Sequence, residues 1–394
     1  MKKAFLLLLC GTLAFCACRK DPVGIPEIPE SELTGTTVDV SVLDGARFRK
    51  LFVLNEGQKG ANNASLDILR LSDGQYITGV FKKVNPQAGA LGDVGNDIVV
   101  AGDEVWIVVN NSGIVEVISA EDEKEIAAIK VPTPRQIACD DRYAYVTSWA
   151  GAYANYENYV LSDYKNIKGQ VYRINLKTKK VEGSVEVGYQ PEGIALQDGS
   201  LYVANSGGIS SQVPPDYAYD NRLTVIDTKT FTETGVIEVA PNLKDVFASP
   251  DGSLFVTTLG NYSDVHSGMY WVKNNLLTGR VEEGGDIGCN VSAATMDSDG
   301  FFWAIGNDTE FDWGAAHAWY LWNFNSLMTT AAVGYLPDYK FSEAVPYGIF
   351  EDSGALFVAD AGDYFNPGTL SLYVSGKKIW TVSAGVCPGH FAIW

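Results

Sequence analysis

The sequence predicts an all-β chain folded as a seven-bladed β-propeller, closed by its own C-terminal strand. Three observations predict it. First, one short phrase recurs seven times: LFVLN (51–55), VWIVV (105–109), AYVTS (144–148), LYVAN (201–205), LFVTT (254–258), FWAIG (302–306) and LFVAD (356–360). The aromatic in second place is Phe52, Trp106, Tyr145, Tyr202, Phe255, Trp303 or Phe357, at spacings of 54, 39, 57, 53, 48 and 54 residues. A repeat near fifty residues with short strands inside it marks a propeller. Second, tight-turn chemistry precedes most phrases: CDDR (139–142), QDGS (197–200), SPDGS (249–253), DSDGF (297–301) and EDSGA (351–355). Gly accepts positive φ there and Asp bonds its own backbone. Third, the ends are complementary. LFVLN has no first strand before it, and PGHFAIW (388–394) reads as a first strand with nothing after it. Joining the two removes both sheet edges.

The repeat around Tyr202 shows the expected blade. PEGIAL (191–196) is the first strand, LYVAN the second, LTVIDT (223–228) the third and TGVIEV (234–239) the fourth. Alternation and turn spacing support each. Calcium ligation by the turn carboxylates is the alternative, but no ligand-rich loop follows them. At 394 residues, seven such blades fill residues 47–394 and leave no room for a second domain.

The N-terminus reads as a signal peptide over residues 1–17: Lys2 and Lys3, then AFLLLLCGTLAF. Cys18 after Ala17 resembles a bacterial lipoprotein cleavage site, with ordinary secretion as the alternative. Residues 18–46 then form a lipidated cysteine and a flexible tether bearing Pro22, Pro26 and Pro29. Removing Lys2 and Lys3 takes the formal charge from −19 to −21. So acidic a chain is a poor partner for nucleic acid. Cys139, Cys289 and Cys387 remain after processing. Three cannot all pair, no CxxC spacing exists for a metal, and each lies by an apolar strand, so buried single thiols are expected.

Loops between second and third strands leave one face of the ring, and they are long: 55–64, 148–169, 205–222, 260–268, 306–318 and 360–369. The loops of the opposite face are short. Elaborated loops on a rigid scaffold carry function. These loops hold Trp149, Tyr153, Tyr156, Tyr217, Tyr262, Trp313, Tyr364 and Phe365, with Asn55, Asn205 and Asn307 where they begin. Tyr189 stands just before a first strand. Tyr and Trp supply rigid amphipathic contact area, and Asn supplies both donor and acceptor. Packing of the loops onto themselves is the alternative for any one of them. Together they predict a binding platform for a large, partly flat ligand rich in amides or hydroxyls.

The first strands begin with GND (95–97), PRQ (134–136), PEG (191–193), LKD (243–245), VSA (291–293), PYG (346–348) and PGH (388–390). Their middle residues are expected to ring the central channel: Asn96, Arg135, Glu192, Lys244, Ser292, Tyr347 and Gly389. Two cations and one carboxylate suit a mixed hydrogen-bonding patch, with Arg135 or Lys244 available to a phosphate. A tunnel metal needs several converging carboxylates, so no metal, no cofactor and no catalytic residue is expected. His266, His317 and His390 have no partner at metal-ligand spacing. Asp308, Glu310 and Asp312 read as a solvated loop rather than a paired-carboxylate site. No nucleophile elbow, P-loop or dinucleotide fingerprint is present.

FVLNEG (52–57), NNASL (62–66), LGDV (91–94), VVNNSG (108–113), PEG (191–193), VANSG (203–207) and TVID (224–227) together resemble the YncE-like propeller surface lipoproteins of Bacteroidetes, and most of all their cobalamin-capturing BtuG type. The resemblance spans residues 47–394. It implies a non-enzymatic protein of the outer membrane, exposed at the cell surface and lipid-anchored at Cys18. It further implies binding of cobalamin and related corrinoids such as cobinamide, as transported ligands. The implied partner is a TonB-dependent outer-membrane transporter of the BtuB type. Glycan or other nutrient binding is the alternative, and a propeller lactonase or lyase a more distant one.

Overall fold

A computed structural model describes residues 33–150, 168–207, 219–261, 263–280, 290–307, 319–325, 334–336 and 338–394. Among these residues the strands form seven antiparallel sheets, six of four strands and one of five. The innermost strands are Gly95–Ala101, Pro134–Cys139, Pro191–Gln197, Leu243–Ala248, Asn290–Met296, Pro346–Asp352 and Pro388–Ile393. Each meets its neighbour around the axis. We number the blades 1 to 7 by the recurring phrases, which form the second strands. Blade 1 is centred on Lys50–Asn55 and blade 7 on Ala355–Asp360.

Closure follows the expected plan. Pro388–Ile393 pairs with Lys50–Asn55, with Leu51 opposite Ile393 and Leu54 opposite His390. Trp394 continues the ladder: its N–H donates to Lys50 O at 3.0 Å, and its carbonyl accepts from Lys50 N at 3.0 Å. The Arg49 guanidinium lies 3.8 Å from the Trp394 ring centroid.

The phrases are apolar on both faces because every blade is packed between two others. Side chains alternate along a strand. In blade 1, Leu51 and Val53 therefore join Phe357, Leu370 and Leu372 of blade 7. Phe52 and Leu54 join Ile98, Val105 and Ile107 of blade 2. The same alternation carries Trp106 toward blade 3, Tyr145 toward blade 4, Tyr202 toward blade 5, Phe255 toward blade 6, and Phe357 toward blade 1. The seven hydrophobic clusters correspond to the seven blade interfaces. Six of the aromatics are buried. Trp303 is only half-buried, and its Nε1–H donates to Asp297 Oδ2 at 2.8 Å. Its neighbour Phe302 is the fully buried ring of that strand, stacked on Phe255 at 5.0 Å.

Residues 33–46, expected within a flexible tether, belong instead to the domain. Leu33 is buried in the cluster between blades 1 and 2. Thr36–Thr37 adds a fifth strand to blade 1 by pairing with Gln75–Ile77. Leu43 is buried, and Trp380 Nε1 of blade 7 donates to Asp39 O at 2.9 Å. Arg47 then reaches Asp299 of blade 6 at 2.8 Å and Asp352 of blade 7 at 3.2 Å, on the short-loop face. A short helix, Val80–Val84, follows blade 1 and buries Val80 and Phe81. Among the described residues, no helix is long and apolar enough to cross a membrane.

Candidate functional site

Every first strand carries a register irregularity at its start, at the long-loop end of the ring. Pairing jumps from Gly95 to Asp97, from Pro134 to Ile137, from Pro191 to Ile194 and from Leu243 to Val246. It jumps likewise from Val291 to Ala293, from Pro346 to Gly348 and from Pro388 to His390. The residues passed over include all seven expected at the channel mouth. A bulge leaves its extra residue out of the ladder and re-aims its side chain. Here it turns Asn96, Arg135, Glu192, Lys244, Ser292 and Tyr347 toward the axis, where with Gly389 they line a cavity of about 380 Å³. Gly389 stays bare for a reason. A Cβ there would lie 2.9 Å from the Tyr347 ring.

Two residues before the bulge, the backbone is left-handed at Val94 (φ 62°), Thr133 (φ 37°), Gln190 (φ 44°), Asn242 (φ 63°) and Cys387 (φ 52°). For β-branched Val94 and Thr133 this is a costly conformation, held by surrounding structure. The second strands help to hold it from their ends. Ser206 Oγ donates to Gln190 O at 2.9 Å, and Asn110 Nδ2 donates to Pro134 O at 2.7 Å. Ser148 Oγ and Thr258 Oγ1 make the corresponding bonds to Pro132 O and Pro241 O.

The channel has a second tier that the triplet reading did not anticipate. Asp97, Gln136, Asp245 and His390, the third residues of their triplets, also line it, as does Glu56. The wall therefore carries four carboxylates, not one, beside Arg135 and Lys244. That overturns the charge count on which exclusion of a tunnel metal rested. Among the described residues, however, no group of three His, Cys, Asp or Glu side chains is arranged to hold a metal ion.

The polar groups of the two tiers are interlocked. Arg135 Nε donates to Glu192 Oε2 at 2.7 Å, and the Trp149 ring lies 4.5 Å from the same guanidinium. The guanidinium expected to await a phosphate is thus already engaged. Asn96 Nδ2 donates to Arg135 O at 2.8 Å. Gln136 Nε2 donates to Asp245 Oδ1 at 2.8 Å, and Lys244 Nζ lies 3.6 Å from Asp245 Oδ2. Tyr347 Oη donates to Glu56 Oε2 at 2.8 Å. His390 stands between Glu56 Oε1 at 3.2 Å and Asp97 Oδ1 at 3.9 Å. Asp97 also accepts from the backbone N–H of Ile98 at 2.8 Å and of Ile137 at 2.9 Å.

Burial and neighbouring charge set the protonation of this cluster. Burial pushes the Asp97 carboxyl up to about 6, against the pull of His390. Burial also raises Glu192, with Arg135 opposing. For His390 burial favours the neutral ring, but Glu56, Asp97 and Asp245 outweigh it and hold the imidazole above its ordinary value. Burial and then the Glu56 charge push the Tyr347 hydroxyl far up, so it remains a donor.

Aromatic groups flank the mouth. Tyr364 meets Tyr347 edge-on at 5.8 Å and is 46% exposed, and Phe365 is 73% exposed. Their turn is stiff, because Asp363 Oδ1 accepts from Phe365 N at 2.9 Å and Asn366 N at 2.8 Å. Tyr189 is half-buried beside the fourth blade's bulge. Asn55, Asn205 and Asn307 do not belong to this surface. All three are at most 2% exposed. Asn205 Nδ2 donates to Arg222 O at 2.8 Å, and Asn55 Nδ2 to Ser65 Oγ at 3.1 Å, within their own blades. Tyr153, Tyr156, Tyr217, Tyr262, Trp313, Cys18 and Cys289 lie outside the described residues. Cys387 is a buried thiol pushed by burial up to about 11. Cys139 is partly buried and also raised.

No family model and no curated protein matches the chain. Solved structures do. A functionally unknown protein from Desulfotomaculum acetoxidans is 13% identical, with 88% of this chain and 98% of that chain covered and a TM-score of 0.58. The hydrazine synthase of Kuenenia stuttgartiensis is 15% identical over 75% of this chain and 88% of that one, with a TM-score of 0.57. A proposed 6-phosphogluconolactonase from Bacteroides fragilis is 11% identical over 90% and 99%, with a TM-score of 0.56. The likeness is one of fold. At these identities the neighbours carry neither an activity nor a ligand over to this chain.

Proposed function

We propose that this protein is a lipid-anchored binding protein of the bacterial cell surface that captures cobalamin and related corrinoids for a TonB-dependent transporter. The observation that carries this reading is the channel mouth. It is a preorganised polar cavity with Trp149 against Arg135 of its wall and Tyr364 edge-on to Tyr347, and the exposed Phe365 follows Tyr364 in the chain. A corrinoid offers the complement: apolar faces for the aromatics and a rim of primary amides for the polar wall. A ligand of that breadth contacts several blades at once, which permits tight binding without chemistry. The resemblance to the YncE-like surface lipoproteins supports the same assignment. So does the N-terminal pattern, in which Cys18 would carry the anchor and place the domain at the outer membrane. Calorimetric titration with cyanocobalamin tests it: saturable heat and a raised melting temperature are expected, and the absence of both overturns it.

A second reading is favoured by the exposed pair Tyr364 and Phe365, since aromatic platforms serve sugars equally well. A binder of glycans would respond to an oligosaccharide panel and not to corrinoids. A lactonase or lyase, the activity class nearest to the proposed lactonase among the fold neighbours, would instead show turnover in the absence of any transporter.

A further inference from the structure

The axial channel holds opposite charges side by side, and its carboxylates outnumber its Arg and Lys side chains. Glu56, Asp97, Glu192 and Asp245 face a space that also receives Arg135 and Lys244. Arg135 is committed to Glu192 at 2.7 Å. An ionised carboxylate offers about four lone-pair sites. The protein fills only some of those on Asp245: Gln136 at 2.8 Å, and more distantly Thr257 Oγ1 at 3.3 Å and Lys244 Nζ at 3.6 Å. The well therefore has acceptors to offer an entering N–H group. Its most loosely held cation is Lys244, half-exposed and 3.6 Å from its neighbour Asp245, whereas Arg135 is paired with Glu192 and His390 sits between Glu56 and Asp97.

Three head groups of similar size fare differently here. A carboxylate brings a negative charge toward Asp97 and Asp245. An ammonium has to pass Lys244 and Arg135, and it presents nothing for Lys244 to bond. A primary carboxamide is neutral and carries both functions, with N–H groups for the Asp245 carboxylate and a C=O for the Lys244 ammonium. Like-charge juxtaposition is strongly unfavourable in a confined site, whereas a neutral dipole matched to both walls avoids it. The bare position at Gly389 and the bulge repeated in all seven blades keep this space open and its walls fixed.

We infer that the axial channel is the specificity pocket of the binding face, and that it receives a primary carboxamide arm of the ligand while rejecting the corresponding acid. The natural ligand to which that arm belongs rests on the corrinoid reading. The carboxamide preference does not, because it follows from the channel wall alone. Lys244 and Asp245 are its specificity-determining residues.

The test uses the full processed chain and one ring with three heads: benzamide, benzoate and benzylammonium, followed by ligand-observed saturation-transfer NMR. Benzamide should bind at least about tenfold more tightly than either charged analogue. Asp245→Asn should reduce that preference below about threefold, and Lys244→Gln should weaken benzamide while leaving benzylammonium unchanged or improved. Two substitutions guard against one that fails to fold, and melting curves identify it. No benzamide signal, equal binding of a charged analogue, or an unchanged ratio in both variants overturns the inference. In parallel, cyanocobalamin is compared with its derivatives in which one propionamide is hydrolysed to the acid. If benzamide is preferred but cyanocobalamin gives no heat, the pocket assignment stands and the corrinoid reading falls. If cyanocobalamin binds and every mono-acid matches it within threefold, the pocket assignment falls and the corrinoid reading stands.

Discussion

Arg135 and Glu192, on adjacent blades, form an ion pair of 2.7 Å across the rim of the channel. Both side chains are largely buried, at 19% and 15% exposure, and Trp149 covers the guanidinium. The pair ties blade 3 to blade 4 where the ladder itself is interrupted by bulges.

Removing one partner of such a pair leaves the other desolvated and alone. Arg135→Ala should therefore destabilise the fold by about 1–3 kcal/mol. Urea unfolding of the single variants and the Arg135→Ala/Glu192→Gln double variant should return a coupling of about 1–2 kcal/mol. A coupling near zero would show that the pair is a passive surface contact.

The aromatics of the recurring phrase and those of the loops should separate cleanly. Trp106 is fully buried between blades 2 and 3, so Trp106→Ala should cost about 3–5 kcal/mol. Phe365 is 73% exposed, so Phe365→Ala should change stability by less than about 0.5 kcal/mol. The same change should weaken ligand binding by about 1–3 kcal/mol. Thermal melts and titrations on both variants check the pair, and a destabilised Phe365→Ala protein would contradict the platform.

Ring closure depends on seven residues. A chain ending at Cys387 loses the strand paired with Lys50–Asn55 and exposes the edge of blade 1. It should show no cooperative melt near the parent temperature. A truncated protein with an unchanged melting temperature would mean that the ring does not need its closing strand.

Asp97 makes stability depend on pH. Its carboxyl is held up at about 6 against an ordinary 3.8, so the folded state binds this proton more tightly than the unfolded one. The stabilisation is complete below pH 3.8 and is lost as pH rises through about 6. The size is about 1–3 kcal/mol, since the carboxylate opens on the channel and is partly solvated. His390, also raised, acts in the same direction. Asp97→Asn should flatten this limb of the profile. Melting temperatures between pH 4 and 7 that run parallel for the two proteins would assign the pH dependence elsewhere.

The ring, its number of blades, its closure and the seven residues at its mouth are all legible in the chain. They repeat, and repetition turns a weak local pattern into a register. The phrase is apolar on both faces because each blade has two neighbours, and its aromatic is buried in six blades, Trp303 being the exception where Phe302 takes the buried place. Residues that break the repeat were not legible. Leu33 and Thr36–Thr37 carry too few apolar positions to distinguish a fifth strand from a tether. Asn55, Asn205 and Asn307 look like loop residues from their place at a strand end, yet all three are buried, and Asn55 and Asn205 bond within their own blades.

What the sequence by itself determined was the scaffold and which end of it is elaborated, because strand alternation and turn chemistry are local and recur seven times. What only the tertiary structure decided was the charge inside the channel. A bulge lets successive residues face the axis, so Asp97, Asp245 and His390 arrive beside Asn96, Lys244 and Gly389, with Glu56 joining from a loop. Their carboxylates then share one partly desolvated space, although they come from blades far apart in the chain. A reading one residue per blade counts one negative charge there, and convergence of the strands on a common axis makes it four.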